Sequence, residues 1–441
     1  MARCAQKTQR TQKTRYDVIV VGTRVAGAAT AMLLARAGLR VLAVDRAGFP
    51  SDTLSTHQVQ LPGVSALGRW GLLGQLSAAG TPATRRLRFD TGRVVLDGPY
   101  PAWDGADALY SPRRILLDRL LVDAARDAGA EVRQNFLVDE LAWAGGRVAG
   151  IRGRERGGTR VTETAHLVVG ADGKRSFIAR AAGARSYRQH PVRTMASYSY
   201  WAGVATAGGG GEIYRRPGRA VAAFPTNDGL TMIYVASPAS EFAAARRDLD
   251  AHYLASLQEC GDLGERVRAG HRAERLRTTP DLPSRLNVPY GPGWALAGDA
   301  GLVLDPVSAH GISNAFRDAE LLARAVSLGL AGGGPAGICP AAALDAALHG
   351  YQRCRDRAAL PMYDLTARVA RLGPLRPGER LLYSSLRGRP GEISRFFGVL
   401  SGTVPPRRYF SPGHLLRIIG GRRPLAVTPP PGPCRGNPGP G

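Results

Sequence analysis

Three aspartates that could bind hydroxyl groups each follow an apolar run of the kind that forms a buried strand. They are Asp45, Asp172 and Asp299. Carboxylates accept hydrogen bonds from hydroxyl groups, and parallel strands bring their carboxyl ends to one edge of a sheet, where ligands bind. The sequence therefore predicts that the three carboxylates, although far apart along the chain, line one shared cleft.

The first of these aspartates belongs to a glycine motif. The segment Gly22–Gly27 lies between an apolar run and a helix of small residues, and Asp45 follows Gly22 by 23 positions. This layout is typical of a dinucleotide-binding βαβ unit, in which the helix start binds a pyrophosphate and the acidic residue binds a ribose. Arg24 stands at the usual middle glycine and places a cation near the phosphates. The predicted contacts of this unit are Gly22, Arg24, Val25, Ala26, Gly27, Asp45 and Arg46.

Two further motifs follow later strands. Gly170–Ser176 contains Asp172-Gly173, and Gly298–Ala300 contains Asp299. Pro306 and the segment Ala309–Asn314 then open a long helix. A helix N-terminus there directs its N–H groups at a site that gains negative charge, and it stabilises that charge.

Together the motifs resemble those of the FAD-dependent monooxygenases of the para-hydroxybenzoate hydroxylase class, to which geranylgeranyl-reductase-like flavoproteins are related. The resemblance covers about residues 16–330. It implies FAD, with NADPH or NADH as electron donor, and molecular oxygen as co-substrate. The implied reaction is hydroxylation or epoxidation of an apolar or aromatic small molecule through a C4a-hydroperoxyflavin, in secondary metabolism such as antibiotic biosynthesis. The alternative is reduction of an isoprenoid-like double bond. The Trp-x-Trp-x-Ile-Pro signature of flavin halogenases is absent.

The resemblance also assigns flavin contacts outside the first motif. Arg114, in a helix predicted to start at Ser111, matches an arginine directed at the FAD phosphate and ribityl region, with Arg113 as the neighbouring alternative. Val138 corresponds to a backbone contact with adenine. The remaining assigned positions are Asp172, Gly173, Asp299, Pro306, Gly311 and Ile312.

Two histidines are candidate catalytic residues. His310 stands where the family usually has glutamine, and a charged imidazolium there would stabilise a reduced flavin. His57 follows a polar loop near the expected ring, although a solvated loop histidine is the simpler interpretation. Aromatic residues at alternating positions predict an antiparallel sheet with one face toward a ligand. The candidate substrate contacts are Tyr198, Tyr200, Trp201 and Phe224.

The predicted fold is α/β, a Rossmann-type FAD-binding domain with an inserted antiparallel-sheet substrate domain and a helical C-terminal region. A 441-residue chain with 44% hydrophobic residues can bury such a core. The predicted divisions are a disordered leader 1–15, FAD-binding parts 16–190 and 286–330, a substrate domain 191–285, a helical region 331–423 and a disordered tail 424–441.

Charge and composition limit the alternatives. The net charge is +24, but the arginines are spread along the chain without a nucleic-acid motif, so a basic nucleic-acid-binding protein is a distant alternative. Five scattered cysteines argue against disulfides or a metal site and favour a cytoplasmic protein. No run is long enough for a transmembrane helix. The basic, apolar C-terminal region could contact a membrane surface, but packing onto the body is the preferred interpretation.

Overall fold

The structure, a computed structural model, describes residues 15–55, 57–331 and 340–420. The predicted disordered leader, apart from Arg15, and the predicted disordered tail lie outside the described residues. Residues 332–339, at the start of the predicted helical region 331–423, also lie outside the described residues.

The strands are β1 (Arg15–Val21), β2 (Val41–Val44), β3 (Ala83–Thr84), β4 (Arg86–Asp90), β5 (Val95–Pro99), β6 (Leu109–Tyr110), β7 (Glu131–Arg133), β8 (Leu137–Ala144), β9 (Arg147–Arg154), β10 (Arg160–Gly170), β11 (Ser186–His190), β12 (Thr194–Ala202), β13 (Gly211–Arg216), β14 (Arg219–Pro225), β15 (Thr231–Pro238), β16 (His271–Arg272), β17 (Arg277–Thr279), β18 (Ser284–Asn287), β19 (Tyr290–Gly291), β20 (Trp294–Leu296) and β21 (Leu302–Val303). The helices are α1 (Val25–Arg36), α2 (Leu61–Arg69), α3 (Leu73–Ala78), α4 (Arg114–Asp127), α5 (Phe177–Ala181), α6 (Phe242–Ala245), α7 (Leu249–Gln258), α8 (Leu263–Ala269), α9 (Gly311–Leu330), α10 (Pro340–Val369), α11 (Pro377–Leu386), α12 (Pro390–Leu400), α13 (Pro406–Tyr409) and α14 (Pro412–Ile419).

The central sheet has the strand order β19-β20-β10-β1-β2-β7. The neighbours β20, β10, β1, β2 and β7 run parallel. Successive residues of β1 enter different cores, since Val18 and Val20 pack on one face with α1, α4 and α9, whereas Ile19 and Val21 pack on the other with β8, β9 and α5. A strand buried on both faces needs an uninterrupted apolar sequence, which Val18–Val21 provides. The α/β, Rossmann-type fold class is confirmed.

A second sheet has the order β16-β12-β15-β14-β13-β4-β5, with β17 on β12. One face packs on α7 and α8, and the other carries the aromatic side chains described below. The strands β4 and β5 belong to this sheet through the parallel pairing of β4 with β13. Both strands precede the segment 191–285 that the sequence assigns to the substrate domain. The sequence did not place them in this sheet, because strands from distant parts of the chain can pair without any local sequence signal.

The start of α4 differs from the sequence prediction. The helix begins at Arg114 with Arg113 as its N-cap, three residues after the predicted cap Ser111. The Ser111 carbonyl accepts a hydrogen bond from the Thr226 hydroxyl, and the Arg113 N–H donates to the Asn227 side chain. The β14–β15 turn therefore holds residues 111–113 out of the helix.

The C-terminal helices pack partly on the body. In α14, His414 and Ile418 are buried, whereas Leu416 and Ile419 are exposed. Arg422 and Arg423, which contribute to the predicted basic surface, lie outside the described residues, so membrane-surface contact stays a prediction. In the part of the chain that the structure describes, no helix is long and apolar enough to cross a bilayer.

We expect Gly27→Ala to destabilise the edge of the central sheet at which β1 ends and α1 begins. A Cβ at Gly27 would lie 1.6 Å from the carbonyl oxygen of Gly22, so the backbone must shift. We expect a loss of about 3 kcal/mol or more in the free energy of unfolding, measured by urea denaturation. Gly74→Ala in α3 is the control, because nothing lies within 4 Å of its added Cβ. Equal stability of the two variants would contradict the packing described here.

Candidate active site

The carboxyl ends of four parallel strands form one edge of the central sheet. The strand registers place Val21 beside both Val44 and Gly170, and Gly170 beside Leu296. The residues that follow these positions include Gly22, Asp45, Asp172 and Asp299, which therefore emerge at the same edge. A crevice outside the carboxyl ends of parallel strands is where this type of sheet binds ligands.

Close backbone contacts join the three motifs. Gly22 has a φ of +94°, and a Cβ there would meet the Ala171 carbonyl oxygen at 2.5 Å. A Cβ on Gly298 would meet the side chain of Ala26 at 2.7 Å. The first motif therefore touches the second through Gly22 and the third through Ala26, and the glycines are needed for this approach.

The start of α1 is open toward the cleft. Ala28 is the first residue whose N–H bonds back to the Arg24 carbonyl, so the N–H groups of Val25, Ala26 and Gly27 precede the helical hydrogen-bond pattern. Such a helix start attracts a phosphate through these donors and the helix dipole.

Two arginines share one buried carboxylate beside this helix start. Arg24 donates to Asp118 Oδ2 at 2.8 Å, and Arg114 donates to Asp118 Oδ1 at 2.8 Å. The Asp118 side chain is fully buried. Two guanidinium groups against one carboxylate leave a net positive charge at the position where the sequence places phosphates. Asp118 was missed from the sequence, although its spacing of four residues from Arg114 on one helix is a usable signal.

Arg113 points elsewhere. Its guanidinium lies 4.1 Å from the centre of the Tyr200 ring and forms an ion pair with Glu274. Of the two arginines predicted as alternatives, Arg114 shares Asp118 with Arg24. Arg113 instead contacts Tyr200 of the second sheet.

The ribose end of the predicted site contains Asp45. Its Oδ2 accepts the Thr23 N–H at 2.7 Å and its Oδ1 accepts the Ala47 N–H at 2.8 Å, which fixes the carboxylate at the tip of β2. Arg46 is exposed next to it. Val138 lies near the start of β8. Just before this strand, the Phe136 N–H donates a hydrogen bond to the Asp45 carbonyl oxygen. Contact of these residues with ribose and adenine stays a prediction.

Asp172 has a structural role that the sequence did not indicate. Its carboxylate accepts hydrogen bonds from the Ser176 hydroxyl and from the N–H groups of Phe177 at 2.6 Å and Ile178 at 3.2 Å. It thereby caps the short helix α5, and Gly173 turns the chain with a φ of +82°. The motif lies at the cleft edge, but most of the carboxylate's acceptor capacity is used locally.

Asp299 is different, because its carboxylate has no hydrogen-bond partner among the described residues. The residue is solvent-exposed at the strand edge, and desolvation by the neighbouring protein raises the pKa of the Asp299 carboxyl to about 6. The positive charges of Arg114 and Lys174 oppose that rise. A carboxylate with free acceptor sites suits a ligand hydroxyl group.

The segment before α9 forms the ring side of the predicted flavin site. Pro306 starts a single 3-10 turn, Ala309 adopts a left-handed conformation, and α9 begins at Gly311 and Ile312. The N–H groups at this helix start remain candidates for stabilising negative charge.

His310 does not fit the predicted charged role. Its ring is buried, and Nε2 lies 3.0 Å from the Leu400 carbonyl oxygen. Burial lowers the pKa of His310 to about 4, with Arg317 adding to the effect, so the imidazole is neutral at pH 7. The prediction of an imidazolium at this position is wrong because the C-terminal helix α12, absent from the motif itself, covers the ring.

His57 is buried, which corrects the simpler interpretation of a solvated histidine. Its Nε2 is in hydrogen-bond contact with the Tyr200 hydroxyl, and the two rings stack at 5.6 Å. Burial, together with Arg114 and Arg113, keeps the pKa of His57 well below its usual value. The loop that carries His57 crosses the second sheet, held by Ser55 N–H to the Tyr198 hydroxyl at 3.3 Å and by Asp52 to Arg277 at 2.7 Å.

Three of the four candidate substrate residues, Tyr198, Tyr200 and Phe224, lie on one face of the second sheet. They form a buried cluster with Tyr234, and we call these four residues the aromatic face. Trp201 is on the opposite face, where its indole N–H donates to the Tyr253 hydroxyl at 3.2 Å. Its assignment to substrate is wrong because neighbouring residues of a strand point to opposite sides. Substrate contact by Tyr198, Tyr200 and Phe224 stays a prediction.

The residues of this edge fit FAD. The donors and cations at α1 suit its pyrophosphate, Asp45 suits a ribose, and the unpartnered Asp299 suits a ribityl hydroxyl. A family model described as FAD binding domain matches residues 15–348. The chain belongs to this FAD-binding family. It is therefore an FAD-dependent oxidoreductase of the class expected from its motifs.

The chain is also similar to individual proteins of known name and to a solved structure. The chain is 29% identical over 332 residues to menaquinone reductase from Mycolicibacterium smegmatis, covering 72% of this chain and 77% of the relative. It is 26% identical over 320 residues to digeranylgeranylglycerophospholipid reductase from Methanocella arvoryzae, covering 70% and 76%. The solved structure of a flavoprotein/dehydrogenase from Cytophaga hutchinsonii is similar in fold, with a TM-score of 0.77, 18% identity, and coverage of 92% of this chain and all of that one (100%).

We expect Asp299→Ala to raise the dissociation constant for FAD about 10- to 100-fold, the range for losing a hydrogen bond to a charged group. Because the carboxyl ionises near pH 6, the wild-type affinity should rise from pH 5 to pH 7, and that rise should be smaller in the variant. Flavin fluorescence titration measures both. Asp107→Ala removes only an exposed pair with Arg85 and is the control. Unchanged FAD binding by Asp299→Ala would show that the ring-side motif is misplaced.

We expect Asp118→Asn to lower the free energy of unfolding by about 3–5 kcal/mol, because it leaves Arg24 and Arg114 without their shared buried partner. Asp123→Asn on the same helix removes exposed pairs with Arg119 and Arg126 and should cost less than about 1 kcal/mol. Urea denaturation compares the two. Similar losses in both variants would argue against the shared ion pair.

Proposed function

We propose that the chain is an FAD-dependent reductase that saturates a carbon–carbon double bond in an apolar, isoprenoid-like molecule, with NADPH or NADH as electron donor. The observation that carries this proposal is the Tyr200–His57 pair on the aromatic face. Saturating a double bond requires a hydride for one carbon and a proton for the other. Bound FAD would supply the hydride once reduced, and the pair provides a proton source on the aromatic face.

The protonation state of the pair suits this role. Burial raises the pKa of the Tyr200 hydroxyl and lowers that of His57, so the hydroxyl keeps its proton and the imidazole is neutral at pH 7. The Arg113 guanidinium over the Tyr200 ring stabilises the phenolate that remains after proton transfer. Because Tyr200 is almost fully buried, a substrate reaches it only if Ser55 and His57, which contact Tyr198 and Tyr200, move off the aromatic face.

The names of the relatives support an apolar substrate. One refers to menaquinone and the other to a digeranylgeranyl lipid, and both proteins are called reductases. Each similarity extends over about 70% of this chain. This support concerns the class of substrate, and the position of the double bond follows from neither name.

Monooxygenation is the second candidate. It is favoured by the match of the three motifs to the para-hydroxybenzoate hydroxylase class. The resemblance also favours it, because Asp172-Gly173 is similar to a motif of that class that recruits a nicotinamide cofactor. That preference is weakened, since the Asp172 carboxylate caps α5.

Anaerobic flavin spectroscopy separates the two candidates. The holoprotein is reduced with NADPH or NADH without oxygen, and a polyprenyl alkene is then added. For a reductase we expect the flavin absorbance to return without oxygen and the product to gain two hydrogens. Return only on admitting oxygen, with one oxygen atom in the product, would support the monooxygenase instead. A protein that takes up no flavin would contradict both.

We expect Tyr200→Phe to slow flavin reoxidation by the alkene about 100-fold, the usual range for losing a proton donor. Flavin reduction by the nicotinamide should change little, because that step does not use the Tyr200 proton. Stopped-flow absorbance resolves the two steps. Tyr234→Phe is the control, since its hydroxyl is on the same face without a hydrogen-bond partner among the described residues. Equal effects of the two variants would remove Tyr200 from the mechanism.

A further inference from the structure

A cavity is lined by residues other than those named at the strand edge. It has a volume of about 240 Å³ and is formed where β11, the start of β12, β18 and the end of α10 meet. The lining residues used below are His190, Arg193, Leu282, Asp305, Arg368 and Arg371.

The cavity carries excess positive charge. Arg193, Arg368 and Arg371 are exposed at its rim, and none forms an ion pair with a carboxylate in the described ranges. Asp364, which also lines it, is paired with Arg188 at 2.6 Å. Asp305 is the remaining lining carboxylate.

The Asp305 carboxylate is already occupied by neutral donors. It accepts the Thr194 hydroxyl at 2.6 Å and the Val307 N–H at 3.0 Å. Three guanidinium groups therefore face one carboxylate that has other partners. That charge balance matches a phosphate group, which carries a charge of about −1.5 to −2 at pH 7.

His190 adds a polar group to the same wall. Its ring stacks on Tyr363 with 5.0 Å between the ring centres, which fixes its orientation. Its Nε2 is buried and has no hydrogen-bond partner in the part of the chain that the structure describes. A buried polar atom without a partner is uncommon, and a bound oxyanion would satisfy it.

The cavity adjoins the aromatic face. Leu282, which lines the cavity, belongs to the same apolar cluster as Tyr198, Phe224 and Tyr234. Asp305 immediately precedes Pro306, the start of the turn that leads to α9. A ligand that extends from the cavity onto the aromatic face would approach the predicted flavin ring with its apolar part.

We propose that this cavity binds the phosphate head group of an amphiphilic substrate, whose apolar chain lies along the aromatic face. The placement of the chain rests on the proposed function, whereas the phosphate site rests on the cavity alone. Guanidinium groups bind phosphate through charge-assisted hydrogen bonds, so removing two of them should weaken binding strongly.

Isothermal titration of the holoprotein tests the proposal with three probes: decyl phosphate, 1-decanol and inorganic phosphate. We expect decyl phosphate to bind at least tenfold more tightly than either of the others. Its affinity should fall at least tenfold in the double variant Arg368→Gln/Arg371→Gln. The control is Arg353→Gln/Arg357→Gln, with two exposed arginines of α10 that do not line the cavity.

Each of the other outcomes would contradict one specific part of the proposal. Equal affinity for decyl phosphate and 1-decanol, or unchanged affinity in the double variant, would overturn the phosphate site. Inorganic phosphate as tight as decyl phosphate would overturn the head-group assignment in favour of a free-anion site. If decyl phosphate binds as expected but no alkene accepts a hydride, the proposed reductase function would be contradicted, whereas the phosphate site would still be supported.

Discussion

The close approach of backbone atoms at the carboxyl edge of the central sheet is the constraint on which the site depends. Gly27 packs on the Gly22 carbonyl, Gly22 packs on Ala171, and Gly298 packs on Ala26. These contacts leave no room for a Cβ, so they hold three distant chain segments in one fixed arrangement. The helix start of α1, Asp45 and Asp299 are placed relative to one another by that arrangement.

The charges along this edge suit a cofactor that has both phosphate groups and sugar hydroxyl groups. Arg24 and Arg114 are held by Asp118 near the start of α1, where they leave a net positive charge. Asp299 follows β20 at the same edge and has free acceptor sites and a raised pKa. Fixed groups of this kind require little reorganisation when the cofactor binds or changes charge.

The sequence predicted the features that local motifs encode and missed those that depend on distant packing. Gly22, Gly27 and Asp45 could be placed because turn geometry and strand ends follow from nearby residues. His310 and His57 could not be judged, because α12 buries one ring and Tyr200 covers the other. The alternation along β12 was visible, but which face meets a ligand depends on where α7 packs, and Trp201 was therefore assigned to the wrong side.

A crystal structure of the purified protein with FAD tests the central claim most directly. We expect the pyrophosphate to lie at the start of α1 beside Arg24, and a ribityl hydroxyl to lie within hydrogen-bond distance of Asp299. FAD bound elsewhere, or Asp45 and Asp299 on separate surfaces that no single ligand spans, would contradict it.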